Sequence, residues 1–183
     1  MAESIHYAWF DTPLGGCAIV WGDAGVRGLM LPGADRARTL ASLRRRHPGA
    51  SEGAPTPAIA AAIAALHALL AGAPESLAGI ALDLRGVPDF HRRVYEAARH
   101  ILPGRTCTYG ELAETLGDAG AARAVGQALG ANPFAIIVPC HRVLAAGGAS
   151  GGFSAPGGVA TKLRLLEIER ARFGGQPSLF DAS

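Results

Sequence analysis

The spacing of apolar residues changes character near the middle of this chain, and that change most limits the folds open to it. Residues 5–31 alternate at period two, the mark of strands, whereas from Asp89 onward apolar residues recur every three to four positions, the mark of helices. The Arg85-Gly86-Val87-Pro88 stretch lies between the two regimes and reads as a boundary. The expected architecture is α+β in two domains. Residues 1–86 form a mixed front unit with a small sheet, residues 87–173 form a mostly helical unit, and residues 174–183 form a tail.

Within the front unit, residues 7–10, the turn-like Thr12-Pro13-Leu14-Gly15-Gly16 and residues 17–21 suit a hairpin. Gly22-Asp23-Ala24-Gly25 then leads to a further strand at 26–31. Residues 35–46 and 57–70 read as helices, the second with Pro57 at its first turn, and 80–84 as a strand. In the second unit Phe90, Val94, Ala97, Ala98 and Ile101 share a helical face that stops at Pro103-Gly104. Thr108-Tyr109-Gly110-Glu111 has the form of a capping box opening a helix to about Leu116. A Gly-Asp-Ala-Gly turn at 117–120 and a second short helix at 121–129 complete a helix-turn-helix outline. The apolar run 134–138 reads as a strand delivering Pro139-Cys140-His141-Arg142, and a Gly-rich loop at 147–158 precedes a last helix from about 161 to 173.

Composition narrows the function classes. Apolar residues make up 49% of the 183, enough for a packed core. The Ala-rich stretch at 58–71 is interrupted by His67 and too short to span a bilayer, and Met1-Ala2-Glu3-Ser4 begins no secretory pattern. A cytoplasmic protein without membrane attachment is expected. Cys17, Cys107 and Cys140 are odd in number and widely spaced, which disfavours a disulfide framework or a cysteine metal site. Residues 88–172 carry nine Arg and one Lys against seven acids, a mildly basic balance compatible with nucleic acid.

The candidate chemistry centres on Cys140. A free thiol with a pKa near about 8.5 is only slightly ionised at neutral pH, so a useful nucleophile needs a base or cation beside it. His141 and Arg142 follow directly. Adjacency does not establish contact, because neighbours on an extended strand point to opposite faces.

Pro139-Cys140-His141-Arg142-Val143, together with Asn132-Pro133, Ala121-Ala122-Arg123-Ala124-Val125-Gly126, Thr108-Tyr109-Gly110-Glu111-Leu112-Ala113 and Gly151-Gly152-Phe153-Ser154, resembles the methylated-DNA–protein-cysteine methyltransferases. The resemblance covers about residues 88–172; in front it is carried only by Thr12-Pro13-Leu14-Gly15 and the strand–helix outline. It implies a ribonuclease-H-like front domain and a helical DNA-binding domain with a helix-turn-helix and an active-site loop. The implied reaction moves the alkyl group of O6-alkylguanine, and in some members O4-alkylthymine, onto Cys140 and leaves the protein spent.

The same resemblance assigns roles. His141 would be the base, acting through a water, and Glu169 would hold its ring, with Glu167 the less suitable neighbour. Asn132 would brace the turn before the active-site strand. Tyr109 would rotate the target phosphate and protonate the departing oxygen, and Arg123 would fill the gap left by the extruded base. Gly110, Ala122 and Arg142 would join them at the DNA, while Val143, Phe153 and Ser154 would line the base pocket. The slim helix at 121–130 offers few side chains for reading base edges, which suits the minor groove, sequence-independent scanning and base flipping. No metal or cofactor is implied, because ligands that some members carry in front are not matched here. The loop Ala155-Pro156-Gly157-Gly158 is longer than the common Gly-Gly form and leaves the range of alkyl sizes open.

Gln176-Pro177-Ser178-Leu179-Phe180 resembles the short peptide by which bacterial replication and repair proteins dock on the sliding clamp, with Gln176, Leu179 and Phe180 as anchors. A monomer is expected. Two rival readings remain at this stage. One is a non-catalytic helix-turn-helix sensor of alkylated DNA; the other is a cysteine hydrolase using Cys140, His141 and Glu169.

Overall fold

The computed structural model describes residues 4–172. The expected clamp anchors Gln176, Leu179 and Phe180 therefore lie outside the described residues. Strands β1 (His6–Thr12), β2 (Gly15–Gly22) and β3 (Gly25–Met30) form an antiparallel meander, and β4 (Ser51–Glu52) pairs parallel to β1, giving the order β3-β2-β1-β4. The first turn is closed by Thr12, whose Oγ1 donates to Gly15 O at 2.8 Å and accepts from Leu14 N at 3.1 Å. Strand β2 shows why its apolar run is unbroken. Cys17, Ile19 and Trp21 enter the main core, while Ala18 and Val20 enter a second core with Leu43. Both faces of the sheet are covered, so alternation is lost on the central strand. Helix α1 (Arg36–Arg46) brings Leu43 to the second face and is capped by Asp35, which accepts from Arg38 N. Helix α2 (Pro57–Leu70) is capped by Thr56.

Residues 80–84 do not form the expected strand. They meet β3 only at a parallel bridge between Val26 and Leu82, flanked by Val26 N→Ala81 O at 2.9 Å and Asp83 N→Val26 O at 2.7 Å. Beyond that point Asp83 turns inward to Arg27 and Arg85, and these ion pairs take the chain off the sheet edge. Gly25 makes the approach feasible: its φ is +130°, and a Cβ there would lie 2.5 Å from Ala81 O.

The second half holds α3 (Asp89–Ala98), β5 (Cys107–Thr108), α4 (Tyr109–Thr115), α5 (Ala122–Gly130), β6 (Val143–Leu144) and α6 (Gly158–Ile168). The capping box is complete: Thr108 N donates to Glu111 Oε2 at 2.6 Å, and Glu111 N donates to Thr108 Oγ1 at 3.1 Å. Helices α4 and α5 both pack on α3, and buried Tyr95 donates its hydroxyl to Ala128 O at 2.9 Å, tying α3 to α5. Among the described residues no helix is long and apolar enough to cross a membrane.

Two expected elements take other forms. Residues 134–138 make a fully buried turn, with Val138 N→Phe134 O at 2.8 Å and Ile136 at φ +70°, rather than a strand. The run is apolar because it fills the space between the halves. Phe134 bridges to Leu29 of β3, and Leu29 N donates to Pro133 O at 2.9 Å. One hydrophobic core thus runs across the 85–88 boundary, joining Ile19 and Leu29 to Phe134, Val138 and Leu165. The last helix ends at Ile168, not 173. Arg170 adopts φ +54°, Ala171 N donates to Leu166 O and Arg170 N to Glu167 O, a Schellman closure made without glycine.

Candidate active site

The order of residues after Pro139 determines which way each side chain points. Cys140–Arg142 is one 3-10 turn, in which Cys140 N donates to Val138 O at 2.8 Å and Arg142 N to Pro139 O at 2.9 Å. Successive side chains on such a turn are separated by about 120°. Cys140 therefore lines a pocket while His141 and Arg142 are buried behind it.

Asn132 connects the end of α5 to this turn. Its Nδ2 donates to Val138 O at 3.0 Å and to Cys140 Sγ at 3.5 Å, and its Oδ1 accepts from Phe134 N at 2.8 Å. Burial pushes the Cys140 thiol above its ordinary value. The Asn132 amide, the Lys162 charge and the backbone N–H groups of Cys140 and His141 pull the other way without cancelling that effect. The resting group is a protonated thiol that needs a base at the moment of attack. Replacing Asn132 by Ala removes the acceptor of Phe134 N and leaves Val138 O with Cys140 N alone. The expected loss is about 1–3 kcal/mol of stability, read from the urea midpoint.

Behind the thiol lies a buried triad. His141 Nε2 is 2.8 Å from Glu169 Oε1, and Arg142 grips the same carboxylate through Nε at 2.9 Å and Nη2 at 2.8 Å. Arg142 also donates to Ile101 O. Burial by itself would raise the Glu169 carboxyl, but the hydrogen bonds and charges of His141 and Arg142 outweigh it and hold the pKa at about 2. An ionised carboxylate only accepts, so His141 Nε2 carries the proton given to Glu169. Burial keeps the His141 pKa below its ordinary value, more than Glu169 raises it, and the ring is neutral at neutral pH. The lone pair then resides on Nδ1, a buried atom with no protein hydrogen-bond partner among the described residues. The Schellman closure after α6 ends the helix at Glu169 and fixes where this carboxylate points.

Lys162, counted in the sequence only toward the basic balance of residues 88–172, takes part in the site. It is fully buried, and its Nζ donates to Val143 O at 2.6 Å and Gly152 O at 3.2 Å and lies 5.8 Å from the Tyr109 ring centre. It ties β6 to the Gly-rich loop and sets a positive charge near the thiol. A signal was present: this is the only lysine of the chain, and it shares a helical stripe with Leu165, Leu166 and Glu169.

The pocket itself, of about 480 Å³, is lined by Tyr109, Gly126, Leu129, Cys140, Phe153 and Ser154, with Gly130 and Gly152 at its edges. Burial and the nearby thiol keep the Tyr109 hydroxyl protonated by raising its pKa. Gly151, at φ +69°, passes so close to Tyr109 that a Cβ would sit 3.1 Å from its ring and hydroxyl. Of the expected DNA-facing groups, Gly110 lies on α4, Ala122 and Arg123 lie on α5, and Arg123 is exposed. Two expectations need correction. Arg142 is 5% exposed and committed to Glu169, so it does not reach out to DNA, and the Val143 side chain is buried away from the pocket. Their part is internal: one holds the carboxylate, the other offers its carbonyl to Lys162.

A thiol lining a pocket, next to a neutral imidazole and a held carboxylate, is built for nucleophilic attack. Residues 89–171 match the family model of the 6-O-methylguanine DNA methyltransferase DNA binding domain. The methylated-DNA–protein-cysteine methyltransferase of Mycobacterium tuberculosis is 39% identical over 182 residues, covering 97% of this chain and 99% of that protein. This chain belongs to the methylated-DNA–protein-cysteine methyltransferase family. A family member from Methanothermobacter thermautotrophicus is 34% identical across 90% of this chain and 85% of its own length. The crystal structure of Mycobacterium tuberculosis OGT in complex with DNA matches with a TM-score of 0.74 at 36% identity, covering 90% of this chain and 92% of that one. The mixed α/β arrangement, a small sheet with helices, is that of this family.

Proposed function

We propose that this methyltransferase repairs double-stranded DNA by moving the alkyl group of O6-alkylguanine onto Cys140, once per molecule. The observation that carries this is Cys140 lining the pocket beside α5, with the His141–Glu169–Arg142 triad next to it. The helix-turn-helix of α4 and α5 lies in the minor groove, and the lesion leaves the stack to enter the pocket. Arg123, exposed on the slim α5, fills the gap in the duplex, and Gly110 and Ala122 let the phosphate backbone come close.

The thiol proton passes through a water to His141 Nδ1, and the resulting imidazolium is stabilised by Glu169, which Arg142 keeps ionised. The thiolate attacks the alkyl carbon, the carbon–O6 bond breaks, and Tyr109 protonates the departing guanine oxygen. The product thioether has no good leaving group, so the protein is consumed. O4-alkylthymine is a second substrate to test, its alkyl oxygen being a similar leaving group.

The strand order β3-β2-β1-β4, with β4 parallel to β1, supports a ribonuclease-H-like front domain over residues 1–86 that scaffolds the catalytic part at 87–173. The protein acts as a monomer in the cytoplasm. Docking of the 174–183 tail on the sliding clamp rests on the Gln176-Pro177-Ser178-Leu179-Phe180 sequence.

Intact-protein mass spectrometry with excess duplex carrying one O6-methylguanine tests the function. One added methyl, mapped to the Cys140 peptide and absent from Cys140→Ser, is expected. Binding without a mass change would instead indicate a sensor, and repeated turnover on esters a hydrolase.

A further inference from the structure

Cys140 lies at the edge of a second and larger space. A cleft of about 740 Å³ runs between β3 and α1 on one side and the 130–135 segment and active-site loop on the other. Its two ends differ in chemistry. At the front end stand Arg27, Arg38, Arg46 and Arg85 with His47, and Asp83 is the one acid among the described lining residues. Asp83 is held by Arg27 and Arg85, its Oδ2 lying 3.5 Å from Arg27 Nε and 2.7 Å from Arg85 Nη2; Arg85 Nη2 also lies 2.7 Å from Asp23 Oδ1, and Arg38 Nε 3.9 Å from Asp35 Oδ2. Arg38 and Arg46 project from α1 and are exposed, with Ser42 between them on the same wall. At the other end are Cys140, the Phe153 ring, Ser154 and the polar edge of Asn132.

The exposed Arg38 and Arg46 set positive charge on the front wall beside the Ser42 hydroxyl and the His47 ring, which can also hydrogen-bond an anion. His47 reports the same field: burial, then the charges of Arg27 and Arg46, keep its pKa below the ordinary value. A ligand that fills the cleft must be anionic at one end and flat and apolar-faced at the other, within reach of the thiol. The volume is in the usual range for a small-molecule site. Guanidinium groups favour phosphate oxygens through charge-assisted and bidentate hydrogen bonds.

We propose that this cleft binds the phosphates of a free O6-alkylguanine nucleotide and presents its base to Cys140, making damaged nucleotides a second substrate class of the same thiol. The inference rests on the reading of Cys140 as the alkyl acceptor. The chemistry balances as in the duplex. The Cys140 sulfur–carbon bond forms and the carbon–O6 bond breaks with its electron pair passing to O6. The thiol proton goes to His141, and O6 takes a proton from solvent in the open cleft. The products are S-alkylcysteine and an undamaged guanine nucleotide.

The phosphate ester that this wall recognises could also belong to a DNA strand, and the experiment separates the two sources. The full chain is mixed at low salt with O6-benzyl-2′-deoxyguanosine, with its 5′-triphosphate, or with duplex carrying the same lesion. Labelling of Cys140 is then followed by mass spectrometry. The triphosphate is expected to react at least about tenfold faster than the nucleoside, and added salt to erode that advantage. Arg38→Ala/Arg46→Ala is expected to bring the triphosphate down to the nucleoside rate while leaving the nucleoside and duplex rates unchanged. Equal rates for nucleoside and triphosphate in the unaltered protein would overturn the proposal. So would a double variant that loses duplex and triphosphate reactivity together, because that outcome gives the arginines to a DNA strand. Failure of every substrate, duplex included, would overturn both this and the repair reading; failure of the triphosphate advantage alone leaves repair of DNA intact.

Discussion

Glu169→Ala is expected to destabilise the protein by about 3–5 kcal/mol, the usual cost of removing one partner from a buried ion pair, and to slow alkyl transfer as well. The carboxylate accepts from His141 and twice from Arg142 behind the thiol, with its side chain only 1% exposed. Without it, a guanidinium remains in the interior with only Ile101 O among those partners, and the imidazole loses the group that fixes its tautomer. Urea unfolding measures the first effect and the rate of Cys140 labelling by O6-methylguanine duplex the second. Glu169→Gln separates them: the amide keeps the shape and an acceptor oxygen but not the charge that stabilises an imidazolium. It is expected to recover part of the stability and little of the rate.

The pH dependence has a definite sign. The folded-state pKa of Glu169 is about 2, below its ordinary 4.5. Its contribution is therefore present above 4.5 and is lost as pH falls from there through about 2, where the native carboxylate finally protonates. His141, also depressed, acts in the same direction from its ordinary 6.5 downward, because the unfolded chain then binds the proton more readily. Acid unfolding followed from pH 7 to 2 should be steeper in the unaltered protein than in Glu169→Gln. Parallel curves would refute the assignment.

The second large effect is kinetic. Lys162→Met removes the buried ammonium whose charge acts on the thiol and is expected to lower the labelling rate by about tenfold to a hundredfold, since each pKa unit is tenfold in thiolate. The apparent pKa of Cys140, read from the pH profile of its reaction with a small alkylating reagent, should rise. Stability responds less. Val143 O and Gly152 O lose a donor, but the cost of burying an ammonium disappears at the same time. A rate loss with an unchanged pH profile would assign Lys162 to loop anchoring alone.

Much of this was legible in the chain. The capping box at Thr108 and Glu111 forms as the sequence predicts because it depends on residues three apart. Helix α2 runs from Pro57 to Leu70 as its Thr-Pro start and apolar face require. The meander of β1, β2 and β3 likewise follows from short apolar stretches interrupted by Gly-rich turns. The apolar run at 134–138 was visible, but its shape was not: a strand and a buried turn can have the same composition, and packing against Leu29 decided between them. The end of α6 was hidden for a related reason. Sequence signals a Schellman closure with glycine, and here Arg170 takes the left-handed conformation.

By itself the sequence determined most of the local elements, the order of the motifs and the candidate thiol, because hydrogen bonding and periodicity act over a few residues. Only the tertiary structure decided what surrounds that thiol. It turned Arg142 inward to Glu169, buried Lys162 beneath Tyr109, and brought arginines of β3 and α1 to a cleft shared with Cys140. Those outcomes depend on groups far apart in the chain, whose charges become strong only when burial removes the water between them.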